Sequence, residues 1–260
     1  MLMPPITVVI MAGGPATRIG GKDKLMISLG GPLLSYIASH FLRHELVREV
    51  VIAAGSRYDI RDYFKTWPLV RVLNLESIDT GSNLLQTVGA IKTPHILGLN
   101  GDTVLSLDLD QMYKLHEESA RNCTVALTSK TGLHMQNTGA FKVADDNRIL
   151  YSAEADAAAL ADAPTVPTRS FSATGAILYR RDGLAQADIM RGAIGLPRGK
   201  LSTEKHLVPW FIRQGEAMGF DNGMRPLLDI GTYPRMNAFI QAGQQHLLSV
   251  YGPPTLDVHV

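Results

Sequence analysis

Val8-Val9-Ile10-Met11-Ala12-Gly13-Gly14-Pro15-Ala16-Thr17-Arg18-Ile19-Gly20-Gly21-Lys22-Asp23-Lys24 is the stretch that decides the fold class. A short apolar run stops at two glycines, and a loop of small residues follows, carrying one arginine and two lysines. A strand that feeds such a loop, with a helix beyond it, is a usual seat for a phosphate chain. The glycines let backbone N–H groups approach anionic oxygens, and the cations neutralise charge that amides cannot. A plain tight turn is the other reading, but it gives Arg18, Lys22 and Lys24 no joint purpose. The loop is not a Walker A sequence, because Asp23 follows Gly21-Lys22 where Ser or Thr is needed and the upstream glycine is misplaced. Nor does it contain the Gly-x-Gly-x-x-Gly of a dinucleotide-binding turn.

Working outward, Ile6 to Ala12 reads as a strand buried on both faces. Pro32 to Glu45 carries a helical stripe of Leu33, Leu34, Ile37, Phe41 and Leu42, with Pro32 suited to a first turn. Strands are expected at Glu49–Ala54, Leu69–Leu73 and His95–Leu99, and helices at Arg57–Thr66 and Asn83–Ile91. This alternation describes a parallel α/β sheet. In such sheets ligands sit beyond the carboxyl ends of the strands, so the Gly13 loop and the Asn100-Gly101-Asp102 turn can face one cleft.

The second half is mixed. A helix at Leu109–Ala120, a strand at Asn122–Thr128 and a hairpin of Gly139–Val143 with Arg148–Ser152 are expected. Ala153 to Pro167 is rich in Ala, Asp and Pro and reads as a short helix with a connection. A strand at Phe171–Tyr179, a helix at Glu204–Gln214, short strands at Ala217–Phe220 and Pro226–Ile230 and a helix at Thr232–Gln244 complete the pattern. With no repeat or independent linker, residues 1–260 read as one domain, its nucleotide-binding half at about 1–105 and its acceptor-binding half at about 106–245.

Hydrophobic residues make up 45% of the chain and charged ones 19%, enough for a sizeable core and against disorder. A net charge of +1 gives no global field for nucleic acid or an anionic membrane, so anion binding must be local. The single Cys123 excludes an intramolecular disulfide and a multi-cysteine zinc site, and its apolar surroundings make it a structural thiol. No apolar run is long enough to span a membrane and no secretory signal is present, so a cytoplasmic location is expected.

Asp102 ends a buried strand and is a ready ligand for a hard cation such as Mg²⁺; a cap for the following segment is the competing role. Asp229, in Leu228-Asp229-Ile230-Gly231-Thr232, would complete a cation site if brought beside Asp102, although alone it reads as a turn carboxylate. His40 and His44 have i, i+4 spacing without a glutamate after His40, so a solvated helix face is expected there rather than a metal site. Lys130 and Lys142 read as surface charges, and Arg180-Arg181 as a solvated turn. No Gly-x-Ser-x-Gly supports a serine hydrolase.

Taken together, these elements resemble the nucleotidyltransferases that join a nucleoside monophosphate to a sugar 1-phosphate. Met11 to Arg18 is similar to the family's Leu-Ala-Gly-Gly-x-Gly-Thr-Arg loop, and Lys24 to the lysine before its Leu-Pro stretch. Leu99-Asn100-Gly101-Asp102-Thr103 resembles the metal-binding turn, most closely in heptose 1-phosphate guanylyltransferases. Thr203 to Pro209 and Leu228 to Pro234 resemble the late Glu-Lys…Leu-Pro and Asp-Ile-Gly-Thr-Pro segments. The likeness runs from about Ile6 to Ala242. The Gly13 loop, written Gly13-Gly14-x-x-x-Arg18-x-Gly20-x-x-Asp23-Lys24, is also similar to that of molybdopterin guanylyltransferases, a branch that the late Asp-Ile-Gly-Thr segment argues against.

The resemblance implies a single-domain, Rossmann-like (GT-A-like) three-layer sandwich with a mostly parallel mixed sheet. It implies an NTP, GTP by a slight lean, and a phosphorylated small-molecule acceptor as partners, with Mg²⁺ as cofactor and a homodimer compatible. Arg18 would clamp the leaving pyrophosphate and Lys24 would neutralise the α-phosphate and the attacking oxygen. Gly13, Gly14 and Thr17 would hold phosphates, Gly81 and Ser82 would approach the base, and Ala12, Asn100 and Asp102 would complete the nucleotide site. Gly139, Glu154 and Thr174 would meet the acceptor, and Asp102 and Asp229 the metal. Three departures stand out: Pro15-Ala16 replaces the usual second glycine, Ala155-Asp156 the lysine after the glutamate, and Ala173-Thr174 the asparagine before Gly175. The last two fall on the acceptor side. A non-sugar acceptor, with contacts from Arg169, Lys200 or Lys205, and a non-catalytic nucleotide-binding regulator are the alternatives.

Overall fold

The computed structural model describes residues 5–14, 24–28, 30–76, 79–129, 140–152, 167–193, 195–196, 199–230 and 233–254. The chain opens with β1 (Ile6–Met11), α1 (Leu33–Leu42), β2 (Val47–Ala53), α2 (Tyr58–Phe64), β3 (Val70–Leu73), α3 (Thr80–Val88) and β4 (His95–Asn100). There follow β5 (Thr103–Leu105), α4 (Leu109–Ser119), β6 (Cys123–Thr128), the pair β7 (Ala140–Val143) and β8 (Ile149–Ser152), and the long β9 (Arg169–Arg180). The chain continues through α5 (Arg181–Met190), a π-helical turn at Thr203–Leu207, α6 (Val208–Arg213), β10 (Ala217–Asp221), β11 (Leu227–Asp229) and α7 (Tyr233–Tyr251).

The main sheet has the order β10-β6-β9-β4-β1-β2-β3, with β7 and β8 attached to β9. All strands of that path run parallel to one another except β9, which is antiparallel to both β4 and β6. Each strand of the parallel set has inward residues on both faces. Val8 and Ile10 enter the core under α1, α2, α4 and α7, whereas Val9 enters the core under α3, α5 and α6. The result is the expected three-layer sandwich. Val8, Val9 and Ile10 are fully buried, each worth about 1.5–3 kcal/mol by transfer from water.

Strand β9 changes neighbours partway along. Arg169–Ser172 pair with β7 and Ala176–Arg180 with β4, and the ladder to β6 is irregular between Leu127 and Val125. Gly175 sits at the changeover with φ +82°, a conformation that an L side chain resists.

Helix α3 begins at Thr80 rather than Asn83, because the Asp79 carboxylate accepts from the Thr80 N–H and caps it. Gly81 and Ser82 are therefore inside the first helical turn. Arg180-Arg181 is no solvated turn: Arg180 donates to Glu117 at 2.7 Å, and Arg181 opens α5. His40 is not on a solvated face, since its ring packs edge-on to Phe41 and against Tyr251, with centroids 5.1 and 4.8 Å away. Lys142 donates to Ser170, while Lys130 and residues 153–166 lie outside the described residues. Cys123 is fully buried, and burial pushes its thiol well above the ordinary range.

His116, wholly buried under the amino-terminal end of the sheet, has Nδ1 2.8 Å from the Thr124 hydroxyl and, among the described residues, no partner for Nε2. Burial, with His95 and Arg180 beside it, lowers its pKa to about 3. His40 is lowered to about 4 by burial and by Arg43 and His44. Both imidazoles are neutral when folded and bind protons once unfolded. Stability is therefore complete above about pH 6.5 and falls toward pH 4 by up to about 1.4 kcal/mol per pH unit per histidine. In urea titrations between pH 7.5 and 4.5, His116→Asn should flatten this slope by about one proton. An unchanged slope would show that His116 is not a source of it.

Candidate functional site

The site is built where β1 and β4 lie side by side. The two strands pair in parallel from Ile6 opposite His95 to Met11 opposite Asn100. The register continues one step further, as the Gly101 N–H donates to the Met11 carbonyl at 3.1 Å. A Cβ on Gly101 would stand 2.7 Å from that oxygen, so the turn needs a glycine to pass this close. In the order β4-β1-β2-β3, β1 is the point from which the chain winds in both directions, and ligands bind beyond the carboxyl ends at such a point. Ala12, buried, donates its N–H to Ala53; Gly13 and Gly14 follow, increasingly open to solvent. Thr17 and Arg18 lie outside the described residues.

Lys24 returns to the same place. Its ammonium pairs with the Asp102 carboxylate, and the side chains are 17% and 26% exposed, so neither charge is fully solvated. Leu25 fixes the lysine's backbone by entering the core and accepting the Leu34 N–H at 3.2 Å. After Asp102 the chain forms β5, a strand the sequence did not disclose, antiparallel to β11 with Thr103 opposite Asp229. The Ile230 N–H donates to the Asp102 carbonyl at 3.0 Å. The backbones of Asp102 and Asp229, 127 positions apart in sequence, thus become diagonal neighbours across one ladder. The Tyr251 hydroxyl, at the end of α7, accepts the Leu105 N–H at 2.6 Å and braces this ribbon.

A second wall comes from the amino end of α3 and the segment Gly199–Glu204. The Ser82 N–H donates to Leu201 O at 2.9 Å, the Leu201 N–H donates to Ser82 Oγ at 3.0 Å, and Ser82 Oγ donates to Gly199 O at 2.9 Å. A Cβ on Gly81 would meet Leu201 Cδ2 at 2.5 Å and Leu201 O at 2.8 Å. Gly81 and Ser82 are thus engaged with this strap. Thr174 is 2% exposed and its hydroxyl donates to Ala126 O at 2.8 Å, inside the sheet. Asn100 packs over Gly175 and donates from Nδ2 to Glu204 Oε1 at 3.4 Å. Gly139 and Glu154 lie outside the described residues.

Glu204 and Tyr251 are site-building residues to which the motif reading gave no role. Glu204 had one signal, its place at a helix start within a segment of family character, behind the capping Ser202. Tyr251 had none, because its partner is a backbone N–H distant in sequence.

The donor set can be tested against a divalent cation. Asp102 is a half-buried carboxylate that already holds a cationic partner, and the backbone of Asp229 lies beside it in the β5–β11 ladder. Among the described residues no three His, Cys, Asp or Glu side chains converge, which excludes an all-protein cage from them. Two carboxylates with the remaining ligands drawn from phosphates and water suit Mg²⁺.

The fold and site define an α/β protein with a mostly parallel mixed sheet and a glycine loop, a lysine and a carboxylate gathered at the switch point of that sheet. The model of the MobA-like NTP transferase domain matches residues 8–180, more than half of the chain, and the protein belongs to that family. The match contains the Gly13 loop, Lys24 and the Asn100–Asp102 turn and ends before Asp229. Among solved structures, HddC from Yersinia pseudotuberculosis, complexed with GMP-PN, has a TM-score of 0.68 at 18% identity, covering 91% of this chain and 98% of that one. A Bacillus anthracis protein assigned as a glucose-1-phosphate thymidylyltransferase, in complex with a sucrose, has a TM-score of 0.68 at 15% identity, covering 98% and 97%. At these identities the likeness is one of fold. No curated protein matches the sequence. Among the described residues no helix is long and apolar enough to cross a membrane.

Gly101→Ala should cost about 1–3 kcal/mol of stability by forcing β1 and the turn apart. Chemical denaturation would measure it; a loss under about 0.5 kcal/mol, the range of neutral surface changes, would mean that the turn relaxes freely.

Proposed function

We propose that this protein transfers a nucleoside monophosphate from an NTP to a sugar 1-phosphate in the cytoplasm, releasing pyrophosphate. The nucleotide lies on the half formed by about residues 1–105 and the acceptor on that formed by about 106–245. The observation that carries this reading is the pairing of Lys24 with Asp102 at the joined carboxyl ends of β1 and β4. Membership of an NTP transferase family supports it.

The acceptor's phosphate oxygen attacks the α-phosphorus in line and pyrophosphate leaves, so the protein's tasks are alignment and charge neutralisation. Backbone N–H groups of Gly13, Gly14 and Thr17 receive the phosphates, whereas the Ala12 N–H is held by Ala53, and Arg18 holds the leaving pyrophosphate. Lys24, on a long flexible stem, turns from Asp102 to the α-phosphate and the attacking oxygen. Asp102 and Asp229 would hold Mg²⁺, which when bound would neutralise the triphosphate. GTP is the first nucleotide to test, on the strength of the Asn100-Gly101-Asp102 turn. One observation favours a different phosphorylated acceptor, such as a polyol phosphate: Thr174, at a position of sugar contact in the resemblance, spends its hydroxyl on the Ala126 carbonyl.

Pyrophosphate release across four NTPs and a panel of sugar and polyol phosphates tests the reading. Release with one pair is expected; tight NTP binding without release under any pairing would leave a regulator instead. Lys24→Ala and Asp102→Ala should each lower kcat by about 10²–10³-fold. The pair is partly solvated, so each loss should cost no more than about 1 kcal/mol and shift Tm by roughly 2–4 °C. Near-normal turnover in either variant would remove that residue from the chemistry.

A further inference from the structure

We propose that Glu204 is a positioning residue that sets the orientation of the Asn100 side-chain amide, so that the amide offers a bound ligand its carbonyl oxygen. The inference rests on reading this cleft as the nucleotide site. Asn100 ends β4, two residues before Asp102, and its side chain is enclosed on two sides. On one side is Gly175, where even a Cβ would stand 3.0 Å from Nδ2 and 3.3 Å from the Asn100 Cβ. On the other is the Glu204 carboxylate, with Oε1 3.4 Å from Nδ2.

A carboxylate only accepts hydrogen bonds, so it selects the NH₂ end of the amide and rejects the flipped form, which would set oxygen against oxygen. Oδ1 is then turned away from Glu204, and among the described residues it receives no hydrogen bond. The group presented is an acceptor, matched to an N–H or O–H donor on the ligand.

The carboxylate is itself fixed. Its other oxygen accepts from Thr80 Oγ1 at 3.4 Å and from Ser202 Oγ at 3.3 Å. Thr80 in turn accepts the Thr203 N–H at 3.0 Å. Glu204 is not needed as a cap, because Ser202 Oγ accepts the Lys205 N–H at 3.2 Å and closes the start of the π-helical turn. Instead the glutamate reaches across to α3 and β4. Irregular helical turns of this kind recur at functional sites.

The test is a compensating exchange in the full-length protein. Asn100→Asp sets two carboxylates against each other and should weaken GTP binding, measured by calorimetry, by about tenfold or more. Adding Glu204→Gln restores a donor–acceptor pair, its NH₂ facing the carboxylate introduced at position 100 and its carbonyl facing the hydroxyls of Thr80 and Ser202. The double variant still presents an acceptor oxygen and should recover to within about threefold of wild type. A double variant no tighter than Asn100→Asp overturns the proposal.

A second readout needs no ligand. In ¹⁵N NMR the Asn100 side-chain NH₂ should be slow to exchange in the wild type and at least about tenfold faster in Glu204→Ala. Equal exchange in both overturns the proposal even if Glu204→Ala lowers Tm, as a purely structural role would. If the wild type binds no NTP and releases no pyrophosphate, the functional reading fails while the exchange measurement still decides the role of Glu204.

Discussion

The structure of the site depends on one hydrogen bond, from the Gly101 N–H to the Met11 carbonyl. It extends the β1–β4 ladder past the end of β4 and holds the turn against the strand that feeds the glycine loop. Two segments about 90 residues apart in sequence thereby share one edge of the sheet. The contact works because residue 101 has no side chain: the Met11 oxygen occupies the space that a Cβ would need. Everything attached to the turn, including the Asp102 carboxylate and the start of β5, takes its position from that approach.

Charge is distributed unequally between the two ends of the sheet. At the amino end, His95 and His116 are buried at β4 and α4 with their rings 5.3 Å apart, and burial holds both below the ordinary histidine range. That end is packed for stability near neutral pH. At the carboxyl end a lysine and an aspartate face each other while still partly open to water, and a second aspartate arrives by strand pairing. Such a pair can exchange partners with an anionic ligand and a cation, because neither charge has been committed to a dry interior.

The strap from Gly199 to Glu204 connects the halves. Its backbone is stitched to α3 through Ser82, and its glutamate reaches the end of β4 through Asn100. The polar groups of Ser82 and the Thr174 hydroxyl, which the family likeness directs toward ligands, are engaged with protein, and Gly81 is packed against Leu201. A hydroxyl inside a sheet or under a strap must find a partner there, and the nearest carbonyl supplies it.

The sequence by itself determined the α/β class, the strands and helices of the first half and the identity of the loop, turn and late-segment motifs. Those signals are local: apolar runs of strand length, a stripe at helical spacing, and glycines beside charges. It also singled out Lys24, Asp102 and Asp229 as candidate site residues, through their residue types and setting. Only the tertiary structure decided that β5 exists, that Asp102 and Asp229 share one ladder, and that Glu204 and Tyr251 brace the site. Each of these depends on a partner distant in sequence. A short strand such as Thr103–Leu105 has no periodicity to reveal it until β11 lies beside it. Gly175 illustrates the division: its residue type allows a positive φ, but the exchange of β7 for β4 along β9, and the Asn100 side chain above it, make that conformation necessary.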